Sequence, residues 1–414
     1  MFKPLGFALI ALLLGAAPIA SAAPRLERVV ILIRHGVRPP TKSADQLAKY
    51  SDQAWPGDAD WGAAPGDLTP HGFIEIQHVG AALRAFYAGQ GLAATQTGRG
   101  QDAQGLWIWA DGADERTRES GRAFALGFAP GASPLVGSGP AGQRDLLFDG
   151  DGGAACPFDP ASAQAAAQGR ADFSAPAIPA ALSRLQTIVA PKACDGGAGQ
   201  CLTGASKLVG QPDGVKISGP IGTGATLAED LLLEYENGLP MAQVGWGRLQ
   251  PGDLASIVPL QALSSDLTRR TSYIAVRRGG RLARFILAAL TGQAPEAGDP
   301  APPTGARLVV LAGHDTNLSN VAGALGLDWT LPGQPDPTAP GTALAFELWR
   351  DADTGQAVLR LRLFYQTQDE VRALASTPPH ALPVNLPACA GQDACPVETA
   401  TQAVTARLAR CGAP

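Results

Sequence analysis

The sequence predicts an α/β fold built from two subdomains. Two apolar runs, Val29–Ile33 and Leu308–Ala312, have the length and composition of buried strands. Each run leads directly into a polar segment, Arg34–Pro40 after the first and His314–Asn317 after the second. Helical patterns alternate with these and further strands, which is typical of a sheet flanked by helices. The 414 residues also exceed what one hydrophobic core usually covers.

The N-terminus has the pattern of a secretory signal peptide over residues 1–22. Lys3 supplies a positive charge, residues 5–17 are almost entirely apolar, and Ala20–Ala22 matches an A-x-A cleavage site. The apolar run is too short to span a bilayer, so an uncleaved anchor is the weaker alternative. No later stretch reaches the roughly 18 consecutive apolar residues of a membrane span. We therefore expect a periplasmic or secreted protein without a membrane anchor after cleavage.

The first part of the α/β domain is predicted over residues 23–150. Thr69 can cap a helix there, and Pro70 suits the first turn of that helix. A second helix must stop before Pro130. The predicted elements are strands at 27–33 and 106–110 and helices at 69–87 and 116–128, with a long connection at 43–70.

Residues 151–260 are predicted to form a mainly α-helical cap inserted into that domain. The first half of this segment is rich in Ala, Gly, Gln and Pro. A helix is predicted over 226–237, and Gly238 and Pro240 should end it. Gly219–Gly224 lacks the Lys-Ser/Thr of a nucleotide-binding phosphate loop, and we interpret it as a plain loop.

The second part of the α/β domain is predicted over residues 261–414. Its apolar runs and periodic segments alternate as they do in the first part. The predicted elements are helices at 282–291 and 316–325 and strands at 307–312, 342–349 and 357–366.

An even number of cysteines in an exported chain indicates disulfides. Two pairs are close in sequence and could join local loops, which would leave the remaining two to close a long loop to the C-terminus. The sequence alone permits 15 pairings. No CxxC pair or Cys/His zinc spacing occurs, so a metal site is the weaker interpretation. The cysteines are the pairs Cys194/Cys201 and Cys389/Cys395, with Cys156 and Cys411 remaining.

The composition and motifs exclude several classes of function. The 37 acidic and 32 basic residues give a mildly acidic chain, with no reason to expect nucleic acid or an anionic membrane as partner. The sequence contains no Gly-x-Ser-x-Gly elbow and no HExxH motif. We expect a monomer that binds small molecules and needs no cofactor.

Three polar segments at predicted strand ends carry side chains that suit phosphoryl transfer. In an open α/β sheet, ligands bind beyond the C-terminal ends of the strands. Arg34 and Arg38 flank His35 at one such end, and Arg116 follows the 106–110 strand at a helix N-terminus, which also favours an anion. Phosphoryl transfer mainly requires positioning and positive charge around the transferred oxygens. The planar guanidinium matches phosphate bidentately.

His35, His314 and Asp315 are the candidates for chemistry at that phosphate. A neutral imidazole can attack phosphorus, and the neighbouring arginines favour the unprotonated form of His35. His314 would bind the phosphate, and Asp315 would protonate the leaving alkoxide, which implies activity at acidic pH. Ordinary explanations also exist: a strand-end histidine is often only a packed or capping residue, Asp315 could cap a helix, and Arg116 could be a solvated helix charge. Their joint occurrence at three strand ends favours catalysis.

The segments Arg34–Lys42 and His314–Asp315 resemble the two signature motifs of the histidine acid phosphatase family, especially its bacterial periplasmic phytase/acid phosphatase branch. The similarity continues at Ala110–Gly121, Gly245–Gly247 and His314–Pro340 and weakens in the cap. It implies a phosphoglycerate-mutase-like sandwich with a central mixed β-sheet, a helical cap, and an active site between them. It also implies the nucleophile His35, the phosphate ligands Arg34, Arg38, Arg116 and His314, the proton donor Asp315, no metal cofactor, and the disulfides Cys156–Cys411, Cys194–Cys201 and Cys389–Cys395.

The resemblance also suggests a substrate pocket formed by Thr41, Lys42, Glu229 and Arg278. Thr41 and Lys42 match positions that line the phytate pocket in the phytase branch, and the related glucose-1-phosphatase branch usually lacks this pair. Glu229 and Arg278 fall at pocket positions by alignment. However, Thr226–Glu229 could equally be a capping box that only fixes a helix start. The resemblance favours phytate, myo-inositol hexakisphosphate, as substrate.

Three alternative functions stay open at this point. A glucose-1-phosphatase-like or broad sugar-phosphate phosphatase would use the same catalytic residues. A phosphohistidine mutase shares the Arg-His-Gly motif, but export argues against it because mutase substrates are cytosolic metabolites. A non-catalytic phosphate-ester binding protein would not need His35, Arg116 and Asp315 together. A transient phosphohistidine would distinguish an enzyme from such a binder.

Overall fold

The computed structural model describes residues 23–92, 105–131, 136–153, 155–376 and 379–411. The predicted signal peptide, residues 1–22, lies outside these ranges. None of the described helices combines the length and the apolar character that a membrane span requires.

A mixed β-sheet forms the centre of the molecule, as the resemblance implied. Along the sheet the strand order is β10-β8-β7-β1-β6-β2-β3, and β9 also pairs with β8. Strands β1, β6, β2 and β3 pair in parallel. Strands β7, β8, β9 and β10 are joined to the sheet by antiparallel pairing. A separate two-stranded hairpin is formed by β4 and β5. The strands are β1 (Arg25–Arg34), β2 (Leu106–Ala110), β3 (Val136–Ser138), β4 (Lys207–Gln211), β5 (Gly214–Ser218), β6 (Leu308–Gly313), β7 (Ala343–Arg350), β8 (Ala357–Tyr365), β9 (His380–Val384) and β10 (Cys395–Pro396).

Helices cover both faces of this sheet. Because side chains alternate along a strand, Val30 and Leu32 of β1 face one core and Val29 and Ile31 face the other. The first core packs against α10, α11 and α13, and the second against α3 and α4. The helices are α1 (Ala44–Leu47), α2 (Asp58–Trp61), α3 (Pro70–Gly89), α4 (Glu115–Phe128), α5 (Pro160–Gln168), α6 (Ala177–Val189), α7 (Pro220–Glu236), α8 (Asp253–Ile257), α9 (Pro259–Thr268), α10 (Ser272–Thr291), α11 (Asp315–Leu325), α12 (Gln368–Arg372) and α13 (Val397–Ala409).

A third core joins α6, α7, α8 and α9 with the β4–β5 hairpin. The segment predicted as a mainly helical cap, residues 151–260, therefore contains a hairpin as well as helices. The limits of the cap at residues 151 and 260 stay predictions, and residue 260 lies inside α9.

The interpretation of Gly219–Gly224 as a loop is wrong, because α7 begins at Pro220. Two of these glycines permit close packing. A Cβ on Gly222 would lie 1.9 Å from the Ile217 carbonyl oxygen, and one on Gly224 would lie 2.8 Å from Leu182. The helix predicted to start at residue 282 also begins earlier, at Ser272. The strand predicted at 106–110 has those exact bounds.

Three disulfides connect the six cysteines, and they are the pairs that the family resemblance implied. Cys194–Cys201 and Cys389–Cys395 each close a short loop. Cys156–Cys411 spans 255 residues of sequence and ties the chain two residues beyond α13 to the segment before α5.

Candidate active site

Three parallel strands end side by side and bring the polar segments together. In the sheet register, Arg34 pairs with Gly313 and Ala110 pairs with Ala312. The His35 N–H donates to the Gly313 carbonyl at 2.9 Å. The residues that follow β1, β6 and β2 therefore converge at one edge of the sheet, where α/β proteins bind ligands.

The loop that carries His35 is fixed by α3 and α4. Gly36 and Gly72 meet so closely that a Cβ on Gly36 would lie 2.4 Å from the Gly72 carbonyl oxygen. The Gly36 N–H donates to Ser120 Oγ at 3.1 Å, and the Val37 N–H donates to Glu75 Oε2 at 2.9 Å. With its backbone bonded on both sides, this loop holds the imidazole in one orientation.

The imidazole of His35 is buried and poised as a neutral base. Its Nδ1 lies 2.8 Å from the Gly36 carbonyl oxygen, which can only accept, so Nδ1 carries the proton. This leaves a lone pair on Nε2. Burial, with the nearby charges of Arg116 and Arg34, holds the pKa of His35 well below its ordinary value. The neutral imidazole that the sequence predicted is therefore favoured.

Arg34 is held by carboxylates from two distant segments. Its side chain is fully buried, and its Nη1 donates to Asp336 Oδ2 at 2.8 Å and to the Thr338 carbonyl at 2.6 Å. Its Nη2 donates to Glu229 Oε1 at 3.0 Å, and Arg38 Nη2 lies 3.5 Å from the same oxygen. Glu229 thus fixes the spacing of two arginines on either side of His35.

Arg116 is positioned by a carboxylate that sequence reasoning missed. It forms a bidentate pair with Asp114, at 3.0 and 2.9 Å, and donates to the Gly66 carbonyl at 3.1 Å. Only 13% of its side chain is exposed, so the interpretation as a solvated helix charge is wrong. The one available signal for Asp114 was its place two residues before Arg116 at a strand end.

Three buried guanidinium donors at this site lack a hydrogen-bond partner within the described part of the chain. They are the Nε atoms of Arg34, Arg38 and Arg116. The charges of all three arginines help to lower the pKa of His35, so they lie near the imidazole. A buried, charged donor without an acceptor is unfavourable by several kcal/mol in order of magnitude. An anion seated in front of His35 would satisfy them.

His314 faces His35 across the site. Their ring centroids lie 5.4 Å apart in an edge-on arrangement. His314 Nε2 lies 2.8 Å from Asp114 Oδ2, and the His314 N–H donates to Asn317 Oδ1 at 2.8 Å. Asp114 therefore orients both His314 and Arg116.

Asp315 is the first residue of α11, and His314 occupies the capping position. The alternative that Asp315 is only a helix cap is thus wrong. Its buried carboxylate forms a close ion pair with Nη1 of Arg269, which follows α9. Burial favours the protonated form, but the charges of Arg269 and Arg34 outweigh it and hold the pKa of Asp315 well below its ordinary value.

The four pocket candidates lie in different places around this site. Glu229 contacts Arg34, and because Thr226 lies inside α7, the capping-box alternative is wrong. Thr41 and Lys42 are exposed, and Lys42 Nζ lies 5.5 Å from the Tyr50 ring centroid. Arg278 pairs with Asp149 and lines a cavity of about 410 Å³ together with Arg269.

No group of three or more His, Cys, Asp and Glu side chains within the described ranges is arranged to hold a metal ion. The charged side chains at the strand ends are instead paired with one another, as in Arg34–Asp336 and Arg116–Asp114. The site therefore places carboxylate-paired arginines next to a neutral imidazole.

Comparison with known families decides to which one this site belongs. The model of the histidine phosphatase superfamily (branch 2) matches residues 25–178 and 239–366. The chain belongs to this superfamily. The first matched range contains His35 and the three arginines, and the second contains His314 and Asp315. The unmatched residues 179–238 include the β4–β5 hairpin and all of α7.

Known relatives extend the match over most of the chain. Phytase AppA of Escherichia coli is 33% identical over 94% of this chain and 93% of its own length. Glucose-1-phosphatase of Salmonella typhimurium is 24% identical over 87% of both. The Hafnia alvei phytase in its apo form superposes with a TM-score of 0.84 at 31% identity, over 96% of this chain and 100% of that one. This histidine phosphatase is therefore a phosphoric monoester hydrolase.

Proposed function

We propose that this phosphatase hydrolyses phytate and other phosphomonoesters at acidic pH through a covalent intermediate on His35. The observation that carries the proposal is the set of three unpaired guanidinium Nε donors around a neutral, buried imidazole. A phosphoryl group has the charge and oxygens to satisfy these donors. It would then lie within reach of the His35 Nε2 lone pair.

In the first step, His35 Nε2 would attack phosphorus, and the bond to the ester oxygen would break as Asp315 gives that oxygen a proton. Arg34, Arg38, Arg116 and His314 would hold the phosphoryl oxygens. In the second step, the Asp315 carboxylate would take a proton from water, whose oxygen attacks phosphorus. The bond between Nε2 and phosphorus then breaks, which releases phosphate and restores both side chains.

The low pKa of Asp315 in the free site is compatible with its role as the acid. A phosphate dianion would neutralise Arg34 and Arg38, which now favour the ionised carboxylate. Its own negative charge would further favour protonation of Asp315. Substrate binding would thus raise the pKa of the acid, and acidic solution would help to supply the proton.

The Asp315→Asn variant should separate proton donation from phosphate binding. We expect kcat for alkyl esters such as glycerol 2-phosphate to fall about 100-fold, in line with the usual contribution of a general acid. For p-nitrophenyl phosphate, whose leaving group needs no proton, the loss should stay below about tenfold. The ratio of kcat values for the two esters measures this effect. An equal loss on both esters would argue against the acid role.

Support for phytate comes from charge around the site. Lys42, Lys216, Arg269 and Arg278 line adjacent cavities of about 350 and 410 Å³. Such a rim suits a ligand that carries several phosphates. Two of the relatives are named as phytases. Three disulfides and the predicted signal peptide favour a periplasmic or secreted location. We propose that the protein acts there as a monomer on small phosphate esters.

Phosphate release at about pH 5 from phytate and glucose 1-phosphate, assayed side by side, tests the proposal. Strong release from phytate would support it. Release from glucose 1-phosphate alone would leave the proposed mechanism in place, but the substrate would then be a sugar phosphate, as the name of the 24% identical glucose-1-phosphatase indicates. EDTA in both assays should leave the rates unchanged. No release from either ester by folded protein would favour a binding protein.

A further inference from the structure

Arg269 stands at a junction between the proton donor and an open cavity. Asp315 is the one acceptor that its side chain contacts among the described residues. The side chain is 28% exposed, whereas that of Asp315 is only 10% exposed. Arg269 thus joins a buried catalytic group to solvent-accessible space.

The cavity beside Arg269 is lined by two further cationic side chains, by polar groups and by one carboxylate, Asp213. It measures about 410 Å³ and lies between the β4–β5 hairpin, α7, the end of α9, and α10. Lys216 enters it from the hairpin, Arg278 from α10 and Thr316 from α11. Thr316 directly follows Asp315, which Arg269 contacts, so this cavity lies beside the proton donor. Its volume is ample for a second phosphate group.

We propose that Arg269 couples two events: the binding of a second phosphate on the substrate, and the release of the proton donor Asp315 from its ion pair with Arg269. This rests on the proposed function and adds a specificity device to it. A peripheral phosphate in the cavity would compete with Asp315 for the Arg269 guanidinium. Once Arg269 turns to that phosphate, Asp315 loses a neighbouring cation and can hold the proton that it must donate. Esters with one phosphate cannot trigger this exchange.

Of the arginines near Asp315, Arg269 is the one whose side chain can move away from this carboxylate. Arg34 is buried and fixed by Asp336 and Glu229. Arg269 has no comparable second anchor among the described residues. The charged groups that face this region from the packed elements are Arg34 of β1, Arg38 of the loop after it, Arg116 of α4, Glu229 of α7, Arg269 after α9, and His314 beside Asp315.

The test compares the Arg269→Gln variant with wild type on phytate and on glycerol 2-phosphate across pH 3 to 8. For glycerol 2-phosphate, the alkaline limb of kcat/KM should move up by about one pH unit, because Asp315 without Arg269 stays protonated to higher pH. At pH 5, kcat/KM for phytate should fall about tenfold, since a charge-assisted contact is lost. The preference for phytate should therefore shrink.

Two variants serve as controls. Arg269→Lys keeps the charge and should restore most of the phytate preference and the original pH limb. Arg284→Gln removes an arginine from an exposed ion pair with Glu296 and should leave both profiles unchanged. Circular dichroism and thermal unfolding establish that each variant is folded before its kinetics are compared.

An unmoved pH limb in folded Arg269→Gln would overturn the inference, and so would an equal loss on both esters. Failure of the proposed substrate is a separate result, seen as wild-type protein that hydrolyses glycerol 2-phosphate but not phytate. In that case the test uses fructose 1,6-bisphosphate in place of phytate and fructose 6-phosphate in place of glycerol 2-phosphate. The coupling then predicts that Arg269→Gln lowers kcat/KM for the bisphosphate selectively, and no selective loss would refute it.

Discussion

The His35→Ala variant is expected to lose at least about 10⁴-fold in kcat, equivalent to roughly 5.5 kcal/mol of barrier, while the protein stays folded. His314 does not replace the nucleophile, because its ring centroid lies 5.4 Å from that of His35 and its Nε2 is held by Asp114. The loop around His35 is held by backbone contacts to α3 and α4, which the substitution leaves in place. Phosphate binding should persist, since the three arginines remain.

The measurement combines turnover with acid-quenched single-turnover labelling. Wild-type protein should show a transient phosphohistidine, and His35→Ala should show none. His78→Ala provides the matched control, since His78 lies on α3 and contacts the Leu374 carbonyl at 3.1 Å, away from the arginines. Its kcat should stay within about twofold of wild type. Substantial turnover or labelling in His35→Ala would disprove the nucleophile assignment.

The strand ends were predictable because their signals are local. An apolar run such as Leu308–Ala312 identifies a buried strand from its own residues, and the polar segment after it follows immediately. The parallel register of β1, β6 and β2 then brings His35, His314 and Arg116 together. The positions of these residues required no knowledge of side-chain packing.

Residues that act through distant contacts could not be found in this way. Arg269 is 46 positions from Asp315 in sequence and has an ordinary setting at a helix end. Asp336 contacts Arg34 across 302 positions. The start of α7 was missed for a related reason. Its glycines favour a loop locally, by about 1 kcal/mol each, but packing against Ile217 and Leu182 outweighs that preference.

The folded protein should lose stability as the pH rises from about 6.5 to 8. Four buried carboxyl groups lie beside the site, one on α3 and three on α7. Burial raises the pKa of Glu75, Asp230 and Glu234 to about 8 each and raises that of Glu236 well above its ordinary value. Each has a carboxyl oxygen without a partner in the described structure, consistent with a neutral form.

The sign of this effect follows from proton binding. Where the pKa of an acid is higher in the folded state, the folded protein keeps a proton that the unfolded chain has already released. Stability is then greatest below the ordinary pKa near 4.5 and falls until the pH passes about 8. His35 and His71 have lowered pKa values and act in the opposite direction, but only below their ordinary value of 6.5. Above that pH the carboxyl groups dominate.

Urea unfolding at pH 5, 6.5 and 8 measures the expected loss. Each carboxyl group that must ionise contributes about 1.4 kcal/mol per pH unit, or roughly 2 kcal/mol between pH 6.5 and 8. In Glu234→Gln the amide oxygen can still accept from the Gly245 N–H, which now bonds Glu234 Oε2 at 2.9 Å, and the amide does not titrate. This variant should therefore show a shallower decline.

Glu398→Gln, an exposed carboxyl at the start of α13, is the matched control and should decline as steeply as wild type. A free energy of unfolding that stays constant or rises between pH 6.5 and 8 would contradict the assignment of neutral buried carboxyls. The expected decline has a functional consequence. Acidic solution helps to protonate Asp315 in the substrate complex, and it also keeps the four buried carboxyl groups of α3 and α7 neutral. Catalysis and stability therefore favour the same pH range.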